Sequence, residues 1–235
     1  MDRSIFVALS GLSAGLERLN AGSNNLANIE TIGFKKSLPT FKVVAPSEQV
    51  SRAFAAPGPV INDMSGGVMT KSGRALDAAL EGRGFFVVRT PRGERYTRQG
   101  DFKVNQAGQL ATQEGFPVLG EGGVIKLGDS EVEIDASGSI QEQGTVVGRL
   151  KVVDFKDKTL LGYEGGLYSS GAQVPEVIKD GDTAVLQGFT EASNVSALKE
   201  MISMMENLRA YQTQVKMIQS IDGMSRKAIE EVGRV

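Results

Sequence analysis

Residues 1–36 read MDRSIFVALSGLSAGLERLNAGSNNLANIETIGFKK, and the spacing of their apolar residues decides the architecture. Ile5, Leu9, Leu12, Leu16, Leu19 and Leu26 alternate four and three apart, with Ser23 in the one polar slot. That is a heptad seam, the pattern of a helix burying a narrow stripe against another helix. The opposite face (Ser10, Ser13, Ala14, Asn20, Ala21, Asn24, Asn25) is nearly uncharged. A helix facing only water would carry more Lys and Glu there, so this face reads as a second packing surface. Periodicity alone leaves open an ordinary terminal helix docked on its own domain. The helix is expected to end near Ile29 or Glu30, where Asn28 and Gly33 tolerate a left-handed C-terminal turn and Phe34 packs back as an anchor.

Outward from this stretch, the C-terminus repeats the pattern. Met201, Met204, Leu208, Tyr211, Val215 and Ile218 alternate three and four apart, and the stripe then slips to Ile221, Ala228 and Val232. Ser193, Asn194 and Ser196 precede it as candidate caps, and Gly233 lies near its stop. Two such helices at opposite ends of one chain suit a shared coiled coil, with Leu12, Leu16, Leu19 and Leu26 facing Leu208, Tyr211, Val215 and Ile218. The four Met between 201 and 217 read first as core filling.

Between the helices lie an arm and a β body. Residues 37–73 are broken by Pro39, Pro46, Pro57 and Pro59 and by Ser65-Gly66-Gly67, with short β pieces at Phe41 to Val44 and Gly67 to Thr70; they read as an extended arm or linker. From Arg74 onward, short apolar runs alternate with Gly turns every eight to twelve residues, the signature of an all-β meander or small barrel. Gly84 to Arg89 (GFFVVR) reads as a buried strand, Val146 to Phe155 as the strongest single strand, and Val185 to Thr190 as the last. The expected class is α+β: helix 1–36, arm 37–73, β domain 74–190, helix 191–235.

Composition narrows the function. Net charge is -2, with no Cys and no His among 235 residues. This gives no basic field for nucleic acid and removes thiol nucleophiles, imidazole bases and the usual zinc ligands. No run approaches a membrane span. A cleaved signal is not expected either, because the N-terminal apolar stretch is broken by Ser10, Gly11, Ser13 and Gly15. Gly82-Arg83-Gly84 and Gly120-Glu121-Gly122-Gly123 lack phosphate-loop spacing. Asp129, Glu131, Glu133 and Asp135 alternate with Val132 and Ile134 as the wet face of a strand. Arg92, Arg95 and Arg98 read as a solvated edge. Asp101 and Glu114 are the nearest candidates for paired-carboxylate chemistry on a cell-wall glycan, yet no acid sits in a recognisable site motif. The expectation is therefore no enzyme, no cofactor and no metal; a soluble module whose helices clasp a client is the other non-enzymatic reading.

These residues resemble a known family. Asn24-Asn25-Leu26-Ala27-Asn28, Thr31 and Gly33-Phe34-Lys35 match the N-terminal signature of bacterial flagellar rod and hook proteins, roughly NNLANxxTxGFK. Gly73-Arg74-Ala75-Leu76-Asp77, Gly82, Gly84 to Val87, Tyr96-Thr97-Arg98, Gly100-Asp101-Phe102 and Gly108-Gln109-Leu110 continue it collinearly. Gly188, Glu191, Ser193-Asn194-Val195, Met201, Arg209 and Tyr211 complete it. The start Met1-Asp2-Arg3, the modest length and Val147-Gly148-Arg149-Leu150 are most similar to the proximal rod branch, with the distal rod branch as the alternative. The resemblance implies a structural subunit without catalytic residues, stacked with other rod proteins and copies of itself in the basal-body rod across the periplasm. It also implies delivery by the flagellar export apparatus without a cleaved signal, no nucleic acid and no membrane insertion. The expected subunit-packing residues are Leu9, Leu12, Leu16, Leu19, Asn24, Asn25, Leu26, Asn28, Phe34, Met201, Met204, Leu208, Tyr211, Val215 and Ile218.

Overall fold

The computed structural model describes residues 3–44, 54–128, 130–178 and 182–232. The chain is α+β and divides into two compact units, one of residues 1–27, 37–61 and 196–235, the other of 28–36 and 62–195.

The first unit holds both helices. Helix α1 is Arg3–Ala27 and helix α2 is Ala197–Val232, about 38 Å and about 54 Å long at ~1.5 Å per residue. They pack antiparallel, for Gly11 meets Gln214, Gly15 meets Tyr211 and Gly22 meets Met204. Strands Ser37–Val44 and Phe54–Asn62 pair as a two-stranded sheet. Thr40 Oγ1 donates to Pro59 O at 2.6 Å, and the Arg18 guanidinium lies 5.0 Å from the Phe41 ring centroid. Part of the region read as a linker is thus regular β structure.

The second unit is all-β. Its six-stranded sheet runs, in order, Gly162–Glu164, Leu167–Ser169, Gly93–Thr97, Phe85–Thr90, Val152–Asp154 and Glu176–Val177. The apolar run 85–88 is buried on both faces. Phe86 and Val88 enter one core cluster with Phe102, Leu110 and Ile140, while Phe85 and Val87 enter another with Tyr96, Phe155 and Tyr168. Alternation on a strand sends successive side chains to opposite faces, so a strand covered on both sides must be apolar throughout. Phe86 and Phe102 meet edge to face, ring centroids 5.2 Å apart.

Two strand expectations are corrected. Val146 to Phe155 is not one strand: Thr145–Arg149 joins a meander with Val132–Ile134 and Ser139–Glu142, and Val152–Asp154 joins the six-stranded sheet. The break falls at Leu150, whose N–H donates to Gly138 O at 2.8 Å. Likewise Val185 to Thr190 is cut at Gly188, which takes φ 73, a left-handed turn closed to most L residues. Thr183–Gln187 pairs with Ala78–Gly82, and Phe189–Glu191 crosses to pair with Met69–Lys71. In the meander, Val132 and Ile134 are buried and Glu133 faces solvent as expected; Asp129 and Gly233 lie outside the described residues.

Candidate assembly site

On α1 the helix hairpin departs from the usual amphipathic rule. On α1 the residues turned to α2 are small or amide-bearing: Gly11, Gly15, Gly22 and Asn25. A Cβ on Gly11 would lie 3.2 Å from the Gln214 amide, and one on Gly22 would lie 2.8 Å from Met204 Cγ. Small residues let the two backbones approach closely. On α2 the sheltered positions are Glu200, Met204, Asn207, Tyr211, Gln214, Ile218 and Ile221, again in steps of four and three. Of the expected pairing of Leu12, Leu16, Leu19 and Leu26 with Leu208, Tyr211, Val215 and Ile218, Tyr211 and Ile218 hold sheltered α2 positions, whereas Leu16 and Leu208 are turned outward. The seam is the small face of α1.

The apolar rows are turned outward instead. Leu9 and Leu16 are 47% and 44% exposed; on α2, Leu198, Met201, Met205 and Leu208 are 70%, 52%, 55% and 46% exposed. Leu12, Leu19 and Leu26 are half-buried, as are Met204, Tyr211, Val215 and Ile218. The side chains of Ile5, Ala228 and Val232 lie outside the described residues.

One buried polar residue fixes the register of the hairpin. Asn25 is 1% exposed. Its Nδ2 donates to Ser37 O at 3.0 Å and to Glu200 Oε1 at 3.1 Å, while its Oδ1 accepts from Ser37 N at 2.7 Å. Both amide hydrogens and the carbonyl are used, so the buried amide is satisfied and fits only this register. Asn24 stands exposed, and half-buried Asn28 accepts at Oδ1 from Thr31 Oγ1 at 3.1 Å.

In the β unit the rest of the signature is seated on a buried charge cluster. Gly33 takes φ 68, and a Cβ there would lie 2.4 Å from the Arg98 carbonyl carbon. Its N–H donates to Glu191 O at 2.7 Å. Phe34 is 1% exposed and meets Tyr163 edge to face at 5.8 Å. Lys35, also 1% exposed, pairs with the Glu191 carboxylate and donates from Nζ to Ser65 O at 2.6 Å. The other Glu191 oxygen takes Arg98 Nη1 at 3.2 Å, and Arg98 Nη2 reaches Gly82 O at 2.7 Å. Gly67 N adds a further bond to Glu191 Oε1 at 2.8 Å. Burial pulls the Lys35 amine below its ordinary 10.5, with the hydrogen bond and charge of Glu191 opposing it.

Arg98 is thus not on a solvated edge: its guanidinium is buried, 5.6 Å from the Phe85 ring centroid. Reading by sequence missed Lys35, Arg98, Glu191 and Glu200 as site residues. The one available signal was positional, since Lys35 and Glu191 stand inside the motifs that carry the family resemblance. Asp101, the glycan-cleavage candidate, has its carboxyl pushed up by burial, and Glu114 is exposed.

Comparison with known proteins matches three segments of the chain. Residues 5–35 match the model described as flagella basal body rod protein, 79–148 that of the flagellar hook protein FlgE/F/G D1 domain, and 186–231 that of the flagellar basal body rod FlgEFG protein C-terminal. The flagellar basal-body rod protein FlgF of Rhizobium meliloti is 33% identical, covering 99% of both chains. FlgF of Escherichia coli is 33% identical over 97% of both. The rod protein FlgG of Bacillus subtilis is 31% identical over 97% of this chain and 98% of its own.

Proposed function

The chain belongs to the flagellar basal-body rod family, a structural rod subunit and not an enzyme, and from that premise we propose that it is a proximal-rod subunit of the FlgF type that polymerises through its terminal helices. Its place is the flagellar basal body, in assembly with other rod proteins. The observation carrying the reading is the helix hairpin that turns Gly11, Gly15, Gly22 and Asn25 of α1 inward while leaving Leu9, Leu16, Met201, Met205 and Leu208 in water. Apolar rows of that extent on a helix pair mark an interface.

In this reading α1 and α2 form a coiled-coil inner layer of the rod, and the β unit is the outer body. Torque passes from subunit to subunit through the helical layer. The chain crosses to the periplasm through the flagellar export apparatus and keeps its N-terminal helix, because that helix is part of the product. No described helix is long and apolar enough to cross a membrane. The expected packing residues stand as proposed contacts, with Leu9, Leu16, Met201 and Leu208 foremost because they are the most exposed.

Deletion of the gene should stop swimming, and a tagged chain should co-purify with hook–basal bodies and label the membrane-proximal end of the rod. Label at the hook-proximal end would select the distal-rod alternative. Normal swimming without the gene, or a tagged chain absent from purified basal bodies, would overturn the reading.

A further inference from the structure

The chain holds eight Met but no Cys, Trp or His, so thioether sulfur is its softest target for an oxidant. Five of the eight lie on α2: Met201, Met204, Met205, Met217 and Met224. Four of these five are exposed, whereas Met204 is half-buried in the hairpin seam.

The surroundings of Met204 set it apart. It fills the space left by the missing side chain of Gly22: a Cβ there would lie 2.8 Å from Met204 Cγ and 3.4 Å from its Sδ. The same point is 3.6 Å from Glu200 Oε1, the oxygen that accepts from Asn25 Nδ2 at 3.1 Å. Sulfur and carboxylate thus border one spot, beside the buried bond that fixes the register of the hairpin. A thioether suits that spot, being flexible, apolar and a weak acceptor at most.

We propose that Met204 is an oxidation-sensitive latch: conversion of its thioether to the sulfoxide by a hydroperoxide opens the α1–α2 hairpin. In that step a lone pair of Sδ attacks one peroxide oxygen. The S–O bond forms as the O–O bond breaks, and the sulfur gives up two electrons to the peroxide. The leaving hydroxide takes the proton from the transferred oxygen and departs as water. The product carries an extra atom where α1 and α2 are already in contact. It also carries a strong acceptor beside Glu200, whose carboxylate only accepts. Both amide hydrogens of Asn25 are committed, one to Ser37 O and one to Glu200 Oε1. The sulfoxide oxygen therefore takes a hydrogen from one of these acceptors or goes without, and in either case a sheltered acceptor loses its bond. Sulfoxides at Met201, Met205, Met217 and Met224 have no such effect, because their oxygens meet water.

Hydrogen peroxide applied to the purified full chain tests this, with sulfoxide at each Met read by peptide mass spectrometry and helix by circular dichroism. The four exposed Met should oxidise at least about threefold faster than Met204, with the helix signal nearly unchanged. Helix should then be lost in step with sulfoxide at Met204, and methionine sulfoxide reductases acting on both epimers should restore it. Met204→Leu, a swap that nearly conserves volume, should keep its helix through the same treatment while the exposed Met still oxidise. Met204 left unmodified after the exposed four are complete would overturn the proposal. So would full oxidation of Met204 without helix loss, or equal helix loss in the natural chain and in Met204→Leu. Should Met204→Leu lack the hairpin before treatment, the reductase arm decides: helix regained as residue 204 is repaired supports the latch, and helix that stays lost after that repair overturns it.

Discussion

The two units solve the problem of buried polarity in opposite ways. The β unit hides Phe85, Phe86, Val87 and Val88 almost completely and then seals three charged side chains beneath them. The helical unit sets glycines and a buried amide of α1 against α2 and leaves Leu9, Leu16, Met201, Met205 and Leu208 in water. The β unit buries every Phe described in its two core clusters, and its exposed apolar side chains, such as Val68 and Val174, are scattered along the chain. The helical unit leaves Leu9, Leu16, Leu198, Met201, Met205 and Leu208 largely exposed, and in the proposed reading other copies cover them.

The sharpest way to break this contrast is Glu191→Gln. It strips the counter-charge from Lys35 and Arg98, both buried, and an uncompensated buried charge costs about 3–5 kcal/mol. Urea unfolding of the full chain, followed by the β unit's aromatic signal, should show that loss; a change below about 1 kcal/mol would show that the cluster is not closed. Next comes Gly33→Ala. It forces an L side chain into a left-handed backbone and onto the Arg98 main chain, and should cost about 1–3 kcal/mol in the same measurement.

Gly22→Leu separates the two regions. Its side chain cannot fit beside Met204, so the hairpin should open at a cost of about 1–3 kcal/mol. Circular dichroism should report lost helix while the β unit's midpoint stays put; coupled loss of both would mean that the units fold as one. Smaller still on the isolated chain is Leu16→Ala or Leu208→Ala. Because both residues are already half in water, the monomer should change by no more than about 0.5 kcal/mol, yet swimming should be abolished. Unimpaired motility in either would deny the rows their role.

The smallest effect concerns acid. Hydrogen bonds from Ser65 hold the Asp63 carboxyl below its ordinary 3.8. A depressed carboxyl contributes stability that is present above 3.8 and lost as pH falls through the lower folded value. Asp63→Asn should flatten the acid limb of the stability curve slightly, and an unchanged limb would show that this turn is not coupled to unfolding.

Much of this was legible in the sequence. The β strands declared themselves because Gly and Pro punctuate them, and the helices because their Leu and Met recur at heptad spacing. Two kinds of information were not legible. Periodicity shows that a row is apolar without saying whose surface covers it, so the Leu row was assigned to α2 when Gly11, Gly15 and Gly22 take that place. Tertiary pairing of charge over long separations leaves no local trace: Lys35 and Glu191 are 156 residues apart, and Arg98 beside a turn has the same local appearance buried or exposed. Val146 to Phe155 misled for a related reason, since propensity cannot tell one long strand from two that part at Leu150 to serve different sheets.

The division of the chain has a topological meaning. The backbone passes between the units at 27/28, 36/37, 61/62 and 195/196. A chain that crossed only once between its units would be parted by a single cut. This one is stitched by four covalent spans, and the short excursion 28–36 is cinched at its base where Asn25 grips Ser37 and bolted at its apex by Lys35 to Glu191. Glu191 in turn lies five residues before the last span, and Asn194 Oδ1 accepts from Lys36 N at 2.8 Å beside the second. The chain thus enters and leaves the β unit twice, so a single backbone cut at any one of these four crossings leaves the two units still covalently joined.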